Sequence, residues 1–195
     1  MVTKSREKYR EELRRNILDA AREAFVRDGY AAVSMRMLAE SVGCSHPALY
    51  LHFKDKREIF DAIVEESFAQ LAVALRGMKV SGNDPVRWAR KAARAYVDFG
   101  LANPHAYEFA FVLRRPEGSP AQTPHPAYGM LRALVKRCID AKRFRAMDVD
   151  VASQALWTAV HGVTAMLIAR PDFPWANRDA VIRRVIDSAV DGLLR

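Results

Sequence analysis

The sequence predicts an all-α protein, and three observations carry that reading. Apolar residues recur at helical spacing along the chain, no stretch alternates apolar and polar residues as a half-buried strand does, and Gly and Pro fall mostly at the joints. With 195 residues, 50% of them hydrophobic, there is apolar material for a full core, arranged as one domain or as two small ones sharing a helix.

The chain opens with Lys4, Arg6, Lys8 and Arg10 against only Glu7. This reads as a flexible basic arm, either a solvated tail or a contact to phosphate or the minor groove. Helix one then places Leu13, Ile17, Ala20, Ala21, Ala24 and Phe25 on one face and stops at Gly29. Residues 34–56, SMRMLAESVGCSHPALYLHFKDK, read as a helix, a tight glycine turn and a second short helix. That is the layout of a helix-turn-helix, for which DNA is the first partner to test. Ala39 must be small where the second helix crosses, Gly43 suits a turn with positive φ, and Leu38, Val42, Cys44 and Leu49 can share one core. Ser45 can cap the second helix, with Pro47 tolerated in its first turn.

Asp55 caps a long fourth helix in which Ile59, Ile63, Phe68, Leu71 and Leu75 supply apolar positions up to about Gly77. The division expected is an N-terminal helix-turn-helix domain with its basic arm over 1–55 and a second helical domain over 56–195, to which the resemblance described below assigns ligand binding and dimerisation. Asp84 and Pro85 start helix five, and Asn103-Pro104 start a sixth carrying Tyr107, Phe109, Phe111 and Leu113. The stretch 114–126 contains four prolines and reads as a surface loop. Helices seven, eight and nine are expected over about 127–144, 148–169 and 177–194.

A formal charge of +8 and a pI near 9.8 favour a polyanionic partner without separating nucleic acid from anionic lipid. No continuous apolar run reaches the roughly 18 residues that span a bilayer, and the basic N-terminus has no apolar segment behind it, so a cytoplasmic protein without a signal peptide is expected. Cys44 and Cys138 do not make a disulfide framework; each is a core thiol or a redox-sensitive one. There is no glycine-rich phosphate loop, HExxH, CxxC or serine elbow, and none of the five histidines pairs with another at i+3 or i+4. Neither catalysis nor a metal or other cofactor is expected.

Two stretches carry a resemblance. ILDAAREAFVRDGYAAVSM from Ile17 and LYLHFKDKREIF up to Phe60, with Ala39, Gly43 and Ser45 between them, closely resemble the DNA-binding domain of TetR-type transcriptional regulators over roughly residues 10 to 62. Trp157, His161 and Gly162, together with NPHAYEFAF from Asn103, resemble the regulatory domain of the TetR subfamily with a tryptophan and a His-Gly pair on a late helix. The resemblance implies a nine-helix architecture and a homodimer on double-stranded DNA with a palindromic operator. It also implies, as the family default, a repressor released by a small-molecule ligand. The rival reading is a basic helical module that binds a protein or membrane surface.

Candidate residues follow from these readings. Ser34, at the start of helix two, suits a phosphate, and the resemblance places backbone contacts at Tyr50, His52 and Lys56. Tyr50 could instead pack on the first helix, and His52 could hold the turn before helix four. Base reading falls to Ser45, His46, Pro47 and Ala48, with Arg36 beside them for a guanine or a phosphate. Pro47 and Ala48 offer only apolar contact, such as to thymine methyls, and Leu51 stands where many relatives carry a polar residue. Phe68, Trp88, Tyr96, Phe99, Phe109, Tyr128 and Trp157 suit either a core or a cavity for a small, largely apolar ligand, with His161 as its polar handle or as an internally bonded histidine. On helix eight Ala155, Ala159, Gly162 and Ala165, and on helix nine Ile182, Val185, Ile186 and Ala189, are candidates for a dimer seam, unless both faces are used within one subunit.

Overall fold

Helix α1 runs unbroken from Val2 to Asp28 in the computed structural model, which describes residues 2–78, 82–112, 116 and 126–195. The expected flexible arm is therefore helical, with Arg6, Lys8 and Arg10 exposed along its first turns. The physical reason is composition: no Gly or Pro interrupts residues 2–28, and Lys8 with Glu12, and Glu11 with Arg15, are opposite charges four apart. Gly29 ends the helix at φ 81°, its amide donating to the Phe25 carbonyl at 3.1 Å.

The chain gathers into two compact units. The first comprises Met1–Ser67 with His105–Pro120, the second Phe68–Pro104 with Ala121–Arg195. In the first unit, α2 (Met35–Ser41) and α3 (His46–Tyr50) pack on each other, and α2 packs on α1. Ser34 caps α2, accepting from the Met37 amide at 3.2 Å, and Ser45 caps α3, accepting from the Ala48 amide at 3.3 Å. Between them Gly43 holds φ 69°, and a Cβ there would meet nothing within 4 Å, so backbone conformation and not space selects glycine. Ala39 is buried at the crossing.

Helix α4 (Lys56–Arg76) contributes Ile59, Phe60 and Ile63 to the core built on Ile17, Ala21, Phe25, Leu38 and Leu49. For that reason the boundary between units falls inside α4, after Ser67, and not at 55/56. After the short α6 (Pro104–Tyr107), a π-helical turn over Glu108–Val112 delivers Phe109 to the same core. Its ring lies 4.5 Å from Phe60 and 5.7 Å from Phe25, and the residue is 1% exposed.

The second unit is a helical bundle of α5 (Pro85–Ala102), α7 (Pro126–Asp140), α8 (Val149–Ala169) and α9 (Arg178–Asp191), together with the last part of α4. Helix α5 touches α7, α8 and α9, while α8 touches α7 and α9. Asp84, Asp148 and Asn177 cap α5, α8 and α9. Helices α7 and α9 stop short of their expected ends because the chain turns at Lys142 (φ 55°) and Phe144 pairs with Leu194 in an isolated bridge. Helix α8 is long and apolar enough, by length and composition, to cross a membrane, which a search for unbroken apolar runs misses. Its Ala152, Leu156, Val160, Val163 and Leu167 are buried in the bundle. Among the described residues no strand forms. The proline-rich segment expected as a loop lies, except for Pro116 and Pro126, outside the described residues.

Candidate functional site

The short α3 exposes one face. Leu49 is fully buried, whereas His46, Pro47, Tyr50 and Leu51 are exposed and form two adjacent i, i+4 ridges on the opposite side. In one ridge the rings of His46 and Tyr50 meet edge-on at 5.0 Å, and Tyr50 is 47% exposed. The other ridge, Pro47 and Leu51, is purely apolar. Ser45 is exposed at the helix start and Ala48 is half-buried beneath it. Arg36, exposed on α2, donates through Nε to Glu40 at 2.9 Å, a solvent-exposed pair that is weak and easily exchanged. The capping oxygens of Ser34 and Ser45 accept from their own helices, and each hydroxyl still carries a proton it can donate to a phosphate.

His52 is half-buried, and its imidazole is held below the ordinary range first by desolvation and then by the positive charges of Arg10 and Arg14. Those arginines identify a basic patch at the end of α3 that the sequence reading missed in part. Arg14 also lays its guanidinium over the Phe53 ring at 4.4 Å. The signal was present as two arginines four apart on α1, but only the tertiary packing puts that face beside His52.

Lys56 is a correction. Its ammonium donates to the carbonyls of Tyr30 and Val33, each at 2.6 Å, and lies 4.3 Å from the centre of the Tyr30 ring. Burial lowers its pKa. A lysine whose donors close the turn before α2 is a clamp within the unit, not an outward phosphate ligand. Asp55 caps α4 as expected, accepting from the Glu58 amide at 2.8 Å, while Glu58 accepts from the Lys54 amide at 2.7 Å.

In the second unit Tyr96, Trp157, His161 and Tyr128 come together from α5, α8 and α7. The Trp157 indole donates to the Tyr96 hydroxyl at 3.3 Å, and that hydroxyl lies 3.2 Å from His161 Nδ1. Burial lowers the His161 pKa, favouring the neutral ring that can accept the Tyr96 proton. The Tyr128 ring stands 6.1 Å from that of Trp157, and its buried hydroxyl oxygen has no hydrogen-bond partner among the described residues. Phe99 is buried one turn beyond Tyr96.

The remaining aromatic candidates sit elsewhere. Trp88 donates its indole N–H to the Gly82 carbonyl at 3.1 Å and so fastens the entry to α5, two turns before Tyr96. Phe68 is half-buried on α4. Phe109 is corrected outright: it is a core residue of the first unit, packed on Phe25 and Phe60.

Of the seam candidates, Ala155 and Gly162 are exposed, and Ala159 and Ala165 are half-exposed on the same stripe of α8. Val151 and Met166, not anticipated, extend that stripe with exposed apolar surface. On α9, Val185 and Ala189 are half-exposed. Ile182 and Ile186 are corrected: at 3% and 4% exposure they are used up in the core of their own unit, facing inward with Val190. Cys138 is wholly buried, with its thiol pushed up to about 11 by desolvation, and half-buried Cys44 packs against the core of the first unit.

Comparison with known proteins gives the following matches. Residues 17–63 match the family profile described as bacterial regulatory proteins, tetR family, and residues 89–191 match the profile described as tetracyclin repressor-like, C-terminal domain. The HTH-type transcriptional activator FasR of Mycolicibacterium smegmatis is 30% identical over 95% of this chain and 81% of its own length. The HTH-type transcriptional repressor AcnR of Corynebacterium diphtheriae is 41% identical, over 30% of this chain and 31% of its own. The crystal structure of the TetR family transcriptional regulator PfmR of Thermus thermophilus superposes with a TM-score of 0.68 at 27% identity, covering 92% of this chain and 99% of that one.

Proposed function

The chain belongs to the TetR family of transcriptional regulators, and we propose that it acts as a homodimer on a palindromic operator, repressing by occupying promoter DNA and leaving it when a small ligand binds the second unit. The observation that carries the DNA half is the outward face of α3, with His46, Pro47, Tyr50 and Leu51 exposed between the capping Ser45 and the basic patch of Arg10 and Arg14 beside His52. Base edges then meet Ser45, His46, Pro47, Ala48 and Arg36, and phosphates meet Ser34, Tyr50, His52 and the two arginines. One such helix reads few base pairs, so a two-fold partner is needed for useful specificity. The apolar stripe of Val151, Ala155, Gly162 and Met166 on α8 supports that pairing.

The ligand half rests on the cluster of Tyr96, Trp157, His161 and Tyr128. The buried Tyr128 hydroxyl, without a partner among the described residues, carries a desolvation penalty that a ligand acceptor would relieve. Aromatic walls around it favour a largely apolar molecule with one polar group. Helix α4, with residues on both sides of the unit boundary, is the element through which ligand binding would alter the DNA-bound state. Activation is a second reading, favoured by the name of the M. smegmatis relative, which is matched along nearly the whole chain and not in the helix-turn-helix alone. A cytoplasmic location accords with this reading.

Selection of bound sequences from a random duplex library with the full chain tests this reading. A palindromic motif bound by a dimer supports it. Equal binding to random duplex and to anionic vesicles, without enrichment, overturns it in favour of a surface-binding module. Deleting the gene and measuring transcripts beside the selected motif separates repression from activation, by a rise in the first case and a fall in the second.

A further inference from the structure

Leu51 is the most exposed large apolar side chain among the described residues, at 75%. It stands at the C-cap of α3, four residues after exposed Pro47, on the side of the helix opposite buried Leu49. A side chain so placed has no role in the unit's own core, and with Pro47 it forms an apolar ridge on the face assigned to DNA. Along the neighbouring ridge His46 and Tyr50 are paired ring to ring, and on α2 Arg36 is engaged with Glu40. The face assigned to the major groove thus offers an apolar ridge of Pro47 and Leu51 beside the exposed polar groups of Ser45, His46 and Arg36.

We infer that this regulator reads its operator through thymine 5-methyl groups, contacted by the Pro47 and Leu51 ridge, so that each half-site contains at least one thymine whose methyl is required for tight binding. The inference rests on the DNA-binding reading above. In the major groove, thymine is the base that presents a methyl group, and an apolar side chain discriminates it from cytosine without any hydrogen bond. The contact is continuous with the recognition surface, which is why duplex DNA and not a protein is assigned to it. Specificity of this kind needs no hydrogen bond at that position, and it predicts a fixed A·T pair under the C-terminal end of α3.

The test uses the full-length protein and the palindrome enriched from a random library, with each thymine replaced singly by deoxyuracil. That change removes one methyl and leaves the Watson–Crick edge intact. At the contacted position binding should weaken about fourfold per methyl, and about fifteenfold when both half-sites are changed. In the Leu51→Ala variant the penalty for that change should shrink, because Pro47 alone then faces the methyl. Since Leu51 is exposed, that substitution leaves the fold intact, which circular dichroism checks. If no single thymine-to-uracil change weakens binding, or if the loss is as large in Leu51→Ala as in the parent, the inference is overturned, the second result assigning the effect to DNA deformability. If no sequence is enriched at all, the DNA-binding reading itself falls before any methyl is removed.

Discussion

At position 56 a lysine has three N–H donors and a four-carbon stem, and its surroundings decide whether it serves the ligand or the fold. Here the ammonium satisfies the carbonyls of Tyr30 and Val33, which follow the end of α1 and would otherwise sit beside an aromatic ring without a donor. Lys56→Met keeps the stem and removes the donors. We expect it to lower stability by about 1 to 3 kcal/mol, measured by urea unfolding, through two carbonyls left short of partners. The salt dependence of DNA binding should be unchanged, since no phosphate contact is lost. The caps at Ser34, Ser45 and Asp55 were legible in the sequence because a cap acts within four residues of itself. The direction of Lys56 was not, because it depends on a turn more than twenty residues upstream.

Element by element, the helices announced themselves through caps and glycine stops, and the failures have local causes. Tyr107, Phe109 and Phe111 were expected on one sixth helix, but the π-helical turn over Glu108–Val112 changes the angular step between residues. Phe109 consequently enters the core of the first unit, while half-buried Phe111 packs on Tyr107 with ring centres 5.0 Å apart. Phe109→Ala should destabilise the first unit by about 3 to 5 kcal/mol, read as earlier thermal loss of operator binding. Ligand affinity of the second unit should stay as in the parent. Helix α9 fails differently: its apolar stripe is too broad for periodicity to choose a face, and only packing shows that Ile182, Ile186 and Val190 are turned inward. The basic arm was misread because its charges looked like a tail, although nothing in residues 2–28 breaks a helix.

For the whole molecule, symmetry is the property on which the regulatory reading depends. Replacing Ala155 and Gly162 together with Asp places charges on the exposed α8 stripe without touching the buried positions Ala152, Leu156 and Val163. The dimer dissociation constant should rise about a hundredfold or more, read by sedimentation, because uncompensated carboxylates would be buried at the seam. Full palindromes should then bind little better than half-sites, with helix content unchanged. A dimer that survives this change would place the two-fold axis elsewhere. The two-unit organisation was partly legible, since α4 was recognised as shared, whereas the compact unit's extension to Ser67 and its return at His105–Pro120 depend on packing.

The segment that carries Phe109 also bears on how such proteins can be recombined. Regulators with interchangeable reading heads invite chimeras cut at the end of the helix-turn-helix, with one protein's operator specificity fused to another's sensor. In this chain a cut near residue 55 would leave Ile59, Phe60, Ile63 and Phe109 on the wrong side of the junction and open the cluster around Phe25. A transplantable head is therefore discontinuous: it consists of residues 1–67 together with a matching copy of the 105–112 stretch, which must travel as a second insert from the same parent.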